Sequence, residues 1–180
     1  MGHAGHVIVY LSLLASPVLA AEPPPYAGED ERPIKALSAA DVDGYHTGRG
    51  MGLAKAAELN GYPGPMHVLQ QADALGLTPD QRARTQHIMD DVKRRAREIG
   101  ARIVEREQAL DRAFAGGNAE PASVIAIVRQ IGELQAELRL AHLLAHLPMR
   151  DVLTPPQIEQ YNSARSHAAS TRPVHGSSAR

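Results

Sequence analysis

The sequence predicts an all-α protein, an elongated hairpin of two long helices with shorter helices flanking it. Three observations predict it. Between Pro79 and Ala115 there is no further proline and a single glycine, Gly100. The large apolar residues of that stretch, Ile88, Val92, Ile99, Ile103, Leu110 and Phe114, are spaced 4, 7, 4, 7, 4. This is an 11-residue repeat of about 3.67 residues per turn, which keeps one stripe on a nearly straight helix. Finally, the chain has no Cys, no Trp and one Phe, yet is 43% hydrophobic. Its core must come from Ala, Leu, Ile and Val, which favours thin helix-on-helix packing over a sandwich or an α/β enzyme.

The elements follow in order. Val7–Ala15 (VIVYLSLLA) is a short, largely apolar stretch followed by Ser16-Pro17-Val18-Leu19-Ala20-Ala21. A short apolar region, a helix breaker and small residues describe a secretory signal peptide over residues 1–21. Even counted to Ala21 it falls short of the roughly 20 residues that cross a bilayer. Residues 22–37 carry Pro23, Pro24, Pro25 and Pro33 with several acids and read as a flexible linker. The helical domain spans 38–168, and residues 169–180 form a polar, disordered tail.

Within the domain, Ser38 to Asp41 makes a capping-box start for a short first helix, cut off by Gly44, Gly48, Gly50 and Gly52. Further helices are expected over Met51–Leu59 and Met66–Leu75, separated by the turn residues Asn60–Pro65. The long helix runs Pro79–Ala115 and Gly116-Gly117-Asn118 breaks it. Pro121 opens the partner helix, whose stripe Ile127, Ile131, Leu134, Leu138, Ala141, Ala145 alternates 4 and 3. Pro148 is expected to kink this segment by removing the bond to the Leu144 carbonyl. Gly100 and Gly132 mark either close helix crossings or gentle bends.

Size then shapes the molecule. A 37-residue helix is about 55 Å long. A globule of about 130 residues has a radius of gyration of about 14 Å. The helix must project, leaving apolar surface for a second copy or for other partners.

Leu77-Thr78-Pro79-Asp80-Gln81 and Leu153-Thr154-Pro155-Pro156-Gln157 are one motif written twice, Leu-Thr-x-x-Gln. Each is a capping box. The Thr oxygen accepts from the third helical N–H and the Gln reaches back to the Thr N–H. Proline at the first helical position sacrifices no bond. Leu153 is placed to pack on Ile158 as a staple, whereas the first copy has Arg82 there.

With this doubled motif on a helical hairpin behind a signal peptide, the chain resembles the Spy/CpxP family of periplasmic chaperones, the LTXXQ-motif family. The resemblance covers about Gly50 to Ala168 and carries over Leu77, Thr78, Gln81, Leu153, Thr154 and Gln157. It implies a cradle-like antiparallel homodimer in the periplasm, a holdase that keeps unfolded clients on an apolar face without ATP. On that reading Ile88, Val92, Ile99, Ile103, Leu110, Phe114, Ile127, Ile131, Leu134 and Leu138 form the client and dimer surface. The same family includes periplasmic heavy-metal sensors and zinc-resistance-associated proteins. A third reading, on which the sequence is silent, makes the chain a regulatory partner of a membrane sensor protein.

The metal alternative has its own residues. His142 and His146 lie four apart, so both imidazoles fall on one helix face. They are candidate ligands for Zn, Cu or Ni, with Met149 as a soft addition and His46, His67 and His87 as candidates by type. The competing interpretation has both histidines lining a helix interface.

Other chemistry is excluded by residue content. Without cysteine there are no thiolate sites or thiol nucleophiles. Gly48–Gly52 lacks the strand and the Gly-Lys-Ser/Thr of a phosphate loop, and Asp41–Gly44 lacks the final Glu of a calcium loop. No catalytic constellation stands out, so no enzyme and no obligatory cofactor is expected. A net charge of −1 gives no reason to expect nucleic acid. The basic run Lys93-Arg94-Arg95-Ala96-Arg97 reads as a solvated face, or as a rim that captures acidic clients.

Overall fold

The computed structural model describes residues 25–117 and 119–170, with side chains to residue 165. The expected signal peptide (1–21), the first residues of the linker and the tail beyond 170 lie outside these. Among the described residues all regular structure is helical: α1 (Ala39–Thr47), α2 (Lys55–Leu59), α3 (Pro65–Gln70), α4 (Pro79–Ala115), α5 (Pro121–Leu144), α6 (Met149–Val152) and α7 (Pro155–Ser170).

Helix α1 starts where the capping pattern places it. Asp41 N–H donates to Ser38 Oγ at 3.1 Å, and Ser38 N–H donates to the Asp41 carboxylate at 3.0 Å. Hydrogen bonds from the Ser38 hydroxyl and then its N–H hold the Asp41 carboxyl below its ordinary value. Gly48, at φ 68°, ends the helix with its N–H turned back to Gly44 and Tyr45 carbonyls. Helices α2 and α3 are shorter than the sequence suggests. Met51 and Gly52 both have positive φ, so residues 51–54 are turns, and the chain after Gln70 closes in turns up to Gly76.

Helix α4 has the expected bounds, and α5 has the expected start. Helix α4 runs from Pro79 to Ala115, and α5 returns antiparallel to it through the turn at Gly116–Gly117. Their seam is Ala96 and Ile103 against Leu134 and Leu138, with Tyr45, Leu53 and Ile99 packed on it. Gly100 marks a crossing: a Cβ there would collide with the Tyr45 carbonyl, so α1 lies directly on α4. Gly132 has open space around it. Pro148 ends the helix rather than kinking it. Helix α5 stops at Leu144, whose carbonyl takes the Leu147 N–H at 3.3 Å, and α6 begins after the proline.

Two assignments change. The apolar stripe expected as client and dimer surface is largely interior. Ile103 is 0% exposed, and Val92, Ile131, Leu134 and Leu138 are buried with it. Ile88, Ile99, Leu110 and Ile127 are half-buried, and only Phe114, at 62%, stands open. The physical reason is simple: the hairpin and α1 close over the stripe within one chain. What lies open instead is the opposite face of α5, with Ile125, Val128, Leu140 and Leu144, continued by Leu147. The second change concerns residues 25–37, read from composition as a linker. Ile34 is buried, and Lys35 N–H and Nζ donate to Asp111 at 3.2 and 3.4 Å, which lays this segment on α4.

Of the basic run, Arg94 and Arg95 lie on the solvated side of α4, while Lys93 and Arg97 lie against the loop at Gly48. Arg94 pairs with Asp91 and Glu98 at 3.3 and 3.5 Å, and Arg97 donates to the Thr47 carbonyl.

Candidate metal centre

The two Leu-Thr-x-x-Gln boxes meet. Thr78 N–H donates to Gln81 Oε1 at 3.0 Å, and Gln81 N–H donates to Thr78 Oγ1 at 3.1 Å. In the second copy Gln157 Oε1 accepts from the Thr154 N–H at 2.9 Å. The carboxamides then bond each other: Gln81 Nε2 to Gln157 Oε1 at 2.8 Å and Gln157 Nε2 to Gln81 Oε1 at 3.1 Å. Each also donates across, Gln81 to the Val152 carbonyl at 2.9 Å and Gln157 to the Leu75 carbonyl at 3.2 Å. Leu77 and Leu153 sit beneath this clasp in a core with Val68, Ala72, Leu75, Met149, Val152 and Tyr161, and Ile158 packs against it. The motif residues are therefore structural. They tie the end of α6 and the turn after α3 to the starts of α4 and α7, and a cavity lies beside α3, α4 and the end of α5.

That cavity has a volume of about 690 Å³ and is lined in part by His67, His142 and His146. His142 (8% exposed) comes from the last turn of α5, and His146 (4%) from the turn that Pro148 enforces. His146 Nδ1 lies 3.0 Å from the Tyr62 carbonyl, which makes Nδ1 the protonated nitrogen and leaves Nε2 with a free lone pair. Gly64 permits this ring position, because a Cβ there would lie 2.9 Å from His146 Cε1. His142 Nε2 is buried without a hydrogen-bond partner, and His67 Nδ1 makes no hydrogen bond but lies 3.5 Å from Glu58 Oε1. Desolvation, and then the proximity of His146, push the His142 pKa below 6.5. His142 is thus neutral at pH 7, the form that binds metal.

An orphaned buried nitrogen costs about 1–3 kcal/mol. Imidazoles held by a backbone carbonyl on one nitrogen, with the other free, are the usual form of metal-ligating histidine. In kind, these donors fit a transition-metal ion. In arrangement they are open: among the described residues no group of three His, Asp or Glu converges to hold an ion. An ion would be held by His142 and His146, with further donors brought in from the cavity wall.

A family model described as heavy-metal resistance matches residues 36–160. The chain belongs to the heavy-metal resistance family. That family falls within the group marked by the doubled Leu-Thr-x-x-Gln motif, in keeping with the Spy/CpxP resemblance. It favours the metal reading of the two histidines over the client-holding reading of the stripe. Neither the curated proteins nor the solved structures contain a match to the chain.

The remaining histidines and Met149 separate clearly. His67 joins the cavity, whereas His46 is exposed on α1 and His87 pairs with Asp91 at 3.4 Å on the outer face of α4. Met149 is fully buried in the apolar core and supplies no ligand, because Pro148 turns the chain away from the His142 face. Three methionines that sequence reasoning passed over, Met51, Met66 and Met89, line the cavity instead. They come from a loop, α3 and α4, so no local spacing announces them.

Proposed function

We propose that the chain is an exported, non-enzymatic metal-binding protein of the periplasm that takes up a Zn, Cu or Ni ion through His142 and His146. The observation that carries this is the buried, unpartnered Nε2 of His142 beside His146, whose tautomer is set by the Tyr62 carbonyl. Membership of the heavy-metal resistance family supports it. Sensing or buffering both follow from such a site, and a sensor would pass occupancy to a membrane protein. Titration calorimetry with Zn²⁺, Ni²⁺ and Cu⁺ under anaerobic conditions tests the proposal. Stoichiometric binding by the wild type that His142→Ala abolishes is expected. Equal affinity in that variant would overturn it.

A second reading, ATP-independent client holding by a homodimer, is favoured by the open face of α5. Ile125, Val128, Leu140 and Leu144 sit there without an intramolecular cover. Large apolar side chains exposed near each end of α5 are of the type that interaction sites use. Aggregation of a denatured client, followed by light scattering without ATP, should be suppressed by the wild type and not by Leu140→Asp/Leu144→Asp. Suppression by both would move the client surface elsewhere.

A further inference from the structure

The structure assigns a ligand preference to the cavity. We propose that it selects a soft monovalent d¹⁰ cation, Cu⁺ or Ag⁺, with the thioethers of Met51, Met66 and Met89 completing the histidine pair. This rests on the histidine reading above and narrows it.

Three observations carry it. The chain has five methionines, and three of them line this one cavity with His67, His142 and His146. A purely apolar demand would place them in the core, as it does Met149. Instead Met51 and Met66 are exposed by 40% and 44%, at the rim of the cavity. Second, the lining carboxylates are already engaged. Asp43 pairs with Arg49, and Glu58 with Arg165, each at 3.1 Å. Lys93 and Arg97 add positive charge to the wall. A divalent ion, which gains most from anionic oxygen ligands, meets a wall whose acids are neutralised. A monovalent ion held by neutral nitrogen and sulfur donors meets less repulsion, and thioether is the ligand type that selects Cu(I).

The third observation is how Met51 is held. It sits at φ 44°, next to Gly52 at φ 76°, so the loop turns its side chain back over α1. Gly44 is the buried glycine of α1, and a Cβ there would lie 2.7 Å from Met51 Sδ. The thioether therefore rests on bare helix backbone at the cavity edge. A left-handed non-glycine residue is a costly conformation that persists where surrounding contacts fix it. Here those contacts hold a sulfur at the edge of the cavity.

The test uses the mature chain with Ag⁺ as a redox-inert probe and Zn²⁺ as comparator. Methionine methyl groups are labelled with ¹³C for NMR. Met51→Leu/Met66→Leu/Met89→Leu conserves volume and so the fold. Ag⁺ is expected to shift the Met51, Met66 and Met89 methyl resonances and leave that of Met149 in place. The triple variant should lose roughly tenfold or more in Ag⁺ affinity while Zn²⁺ affinity holds within about threefold. Gly44→Ala, which displaces Met51 without removing it, should lower Ag⁺ affinity in the same direction. Unshifted methyl groups and unchanged Ag⁺ affinity in the triple variant, with His142→Ala still abolishing metal binding, would overturn the soft-ion preference alone. If His142→Ala leaves both ions bound as before, the histidine site itself is lost and the preference with it.

Discussion

The glutamine clasp and the histidine cavity lie at the same end of the molecule and treat buried polar groups in opposite ways. In the clasp, both carboxamides of Gln81 and Gln157 are fully engaged with each other and with the carbonyls of Val152 and Leu75. In the cavity, His142 Nε2 is buried without a hydrogen-bond partner, and His67 Nδ1 has only the Glu58 carboxylate at 3.5 Å. A satisfied network contributes stability and a unique geometry, whereas an orphaned nitrogen costs free energy. The difference separates scaffold from site. Tyr161 joins the two regions. It is fully buried in the core beneath the clasp, and its hydroxyl accepts from Gly64 N–H at 3.3 Å, just before α3 carries His67 into the cavity.

The largest effect should therefore come from the joint. Tyr161→Ala removes a large core side chain and the anchor of Gly64, at an expected cost of about 3–5 kcal/mol in chemical denaturation. Tyr161→Phe keeps the volume and loses only the hydroxyl, costing about 1 kcal/mol. If the two variants cost the same, the hydroxyl rather than the packing ties scaffold to site.

The clasp comes next. Gln81→Ala removes the carboxamide pairing with Gln157 and leaves the Val152 carbonyl and the Thr78 N–H without their side-chain partner, an expected loss of about 1–3 kcal/mol. Gln157→Ala should match it, and the double variant should lose less than the sum, by a coupling of roughly 0.5–3 kcal/mol. Additive losses would mean that each glutamine only caps its own helix.

The cavity should respond with the opposite sign. His142→Leu removes an unpartnered buried nitrogen and puts aliphatic carbon in its place. Metal-free stability is expected to be unchanged or higher by up to about 1 kcal/mol, with metal binding lost. A clear destabilisation would show that His142 is a packing residue, and the contrast with the clasp would collapse.

Much of this arrangement is legible in the sequence, and the failures share a cause. The bounds of α4 follow from Pro79, Gly116 and the 11-residue spacing, all of them local signals. The paired histidines are legible because four residues is one helical turn. The repeat of Leu-Thr-x-x-Gln announces two capped helices but not the bond between glutamines 76 positions apart. Periodicity identifies an apolar stripe without saying what covers it. Ile103 and Leu134 thus read as open surface until α1 and the hairpin are seen to enclose them, and charging either should unfold the chain rather than weaken a partner contact. Met51, Met66 and Met89 converge from three separate segments, which only tertiary structure can bring together.

The smallest effect, and the one most specific to the cavity, is its dependence on pH. Desolvation and the neighbouring His146 lower the His142 pKa in the folded chain, while the unfolded chain titrates near 6.5. The unfolded state therefore takes up this proton first as the pH falls. Stability is present in full above about 6.5 and declines below it, until the folded-state value is passed and both states carry the charge. Urea titrations of metal-free wild type between pH 7.5 and 5 should show this decline, and His142→Leu should flatten it. Saturating metal should steepen the same decline in the wild type, because protons then compete with the ion for the imidazoles. A decline of equal slope in His142→Leu would show that the titrating group is not His142. The orphaned nitrogen would then be explained by packing rather than by readiness to bind.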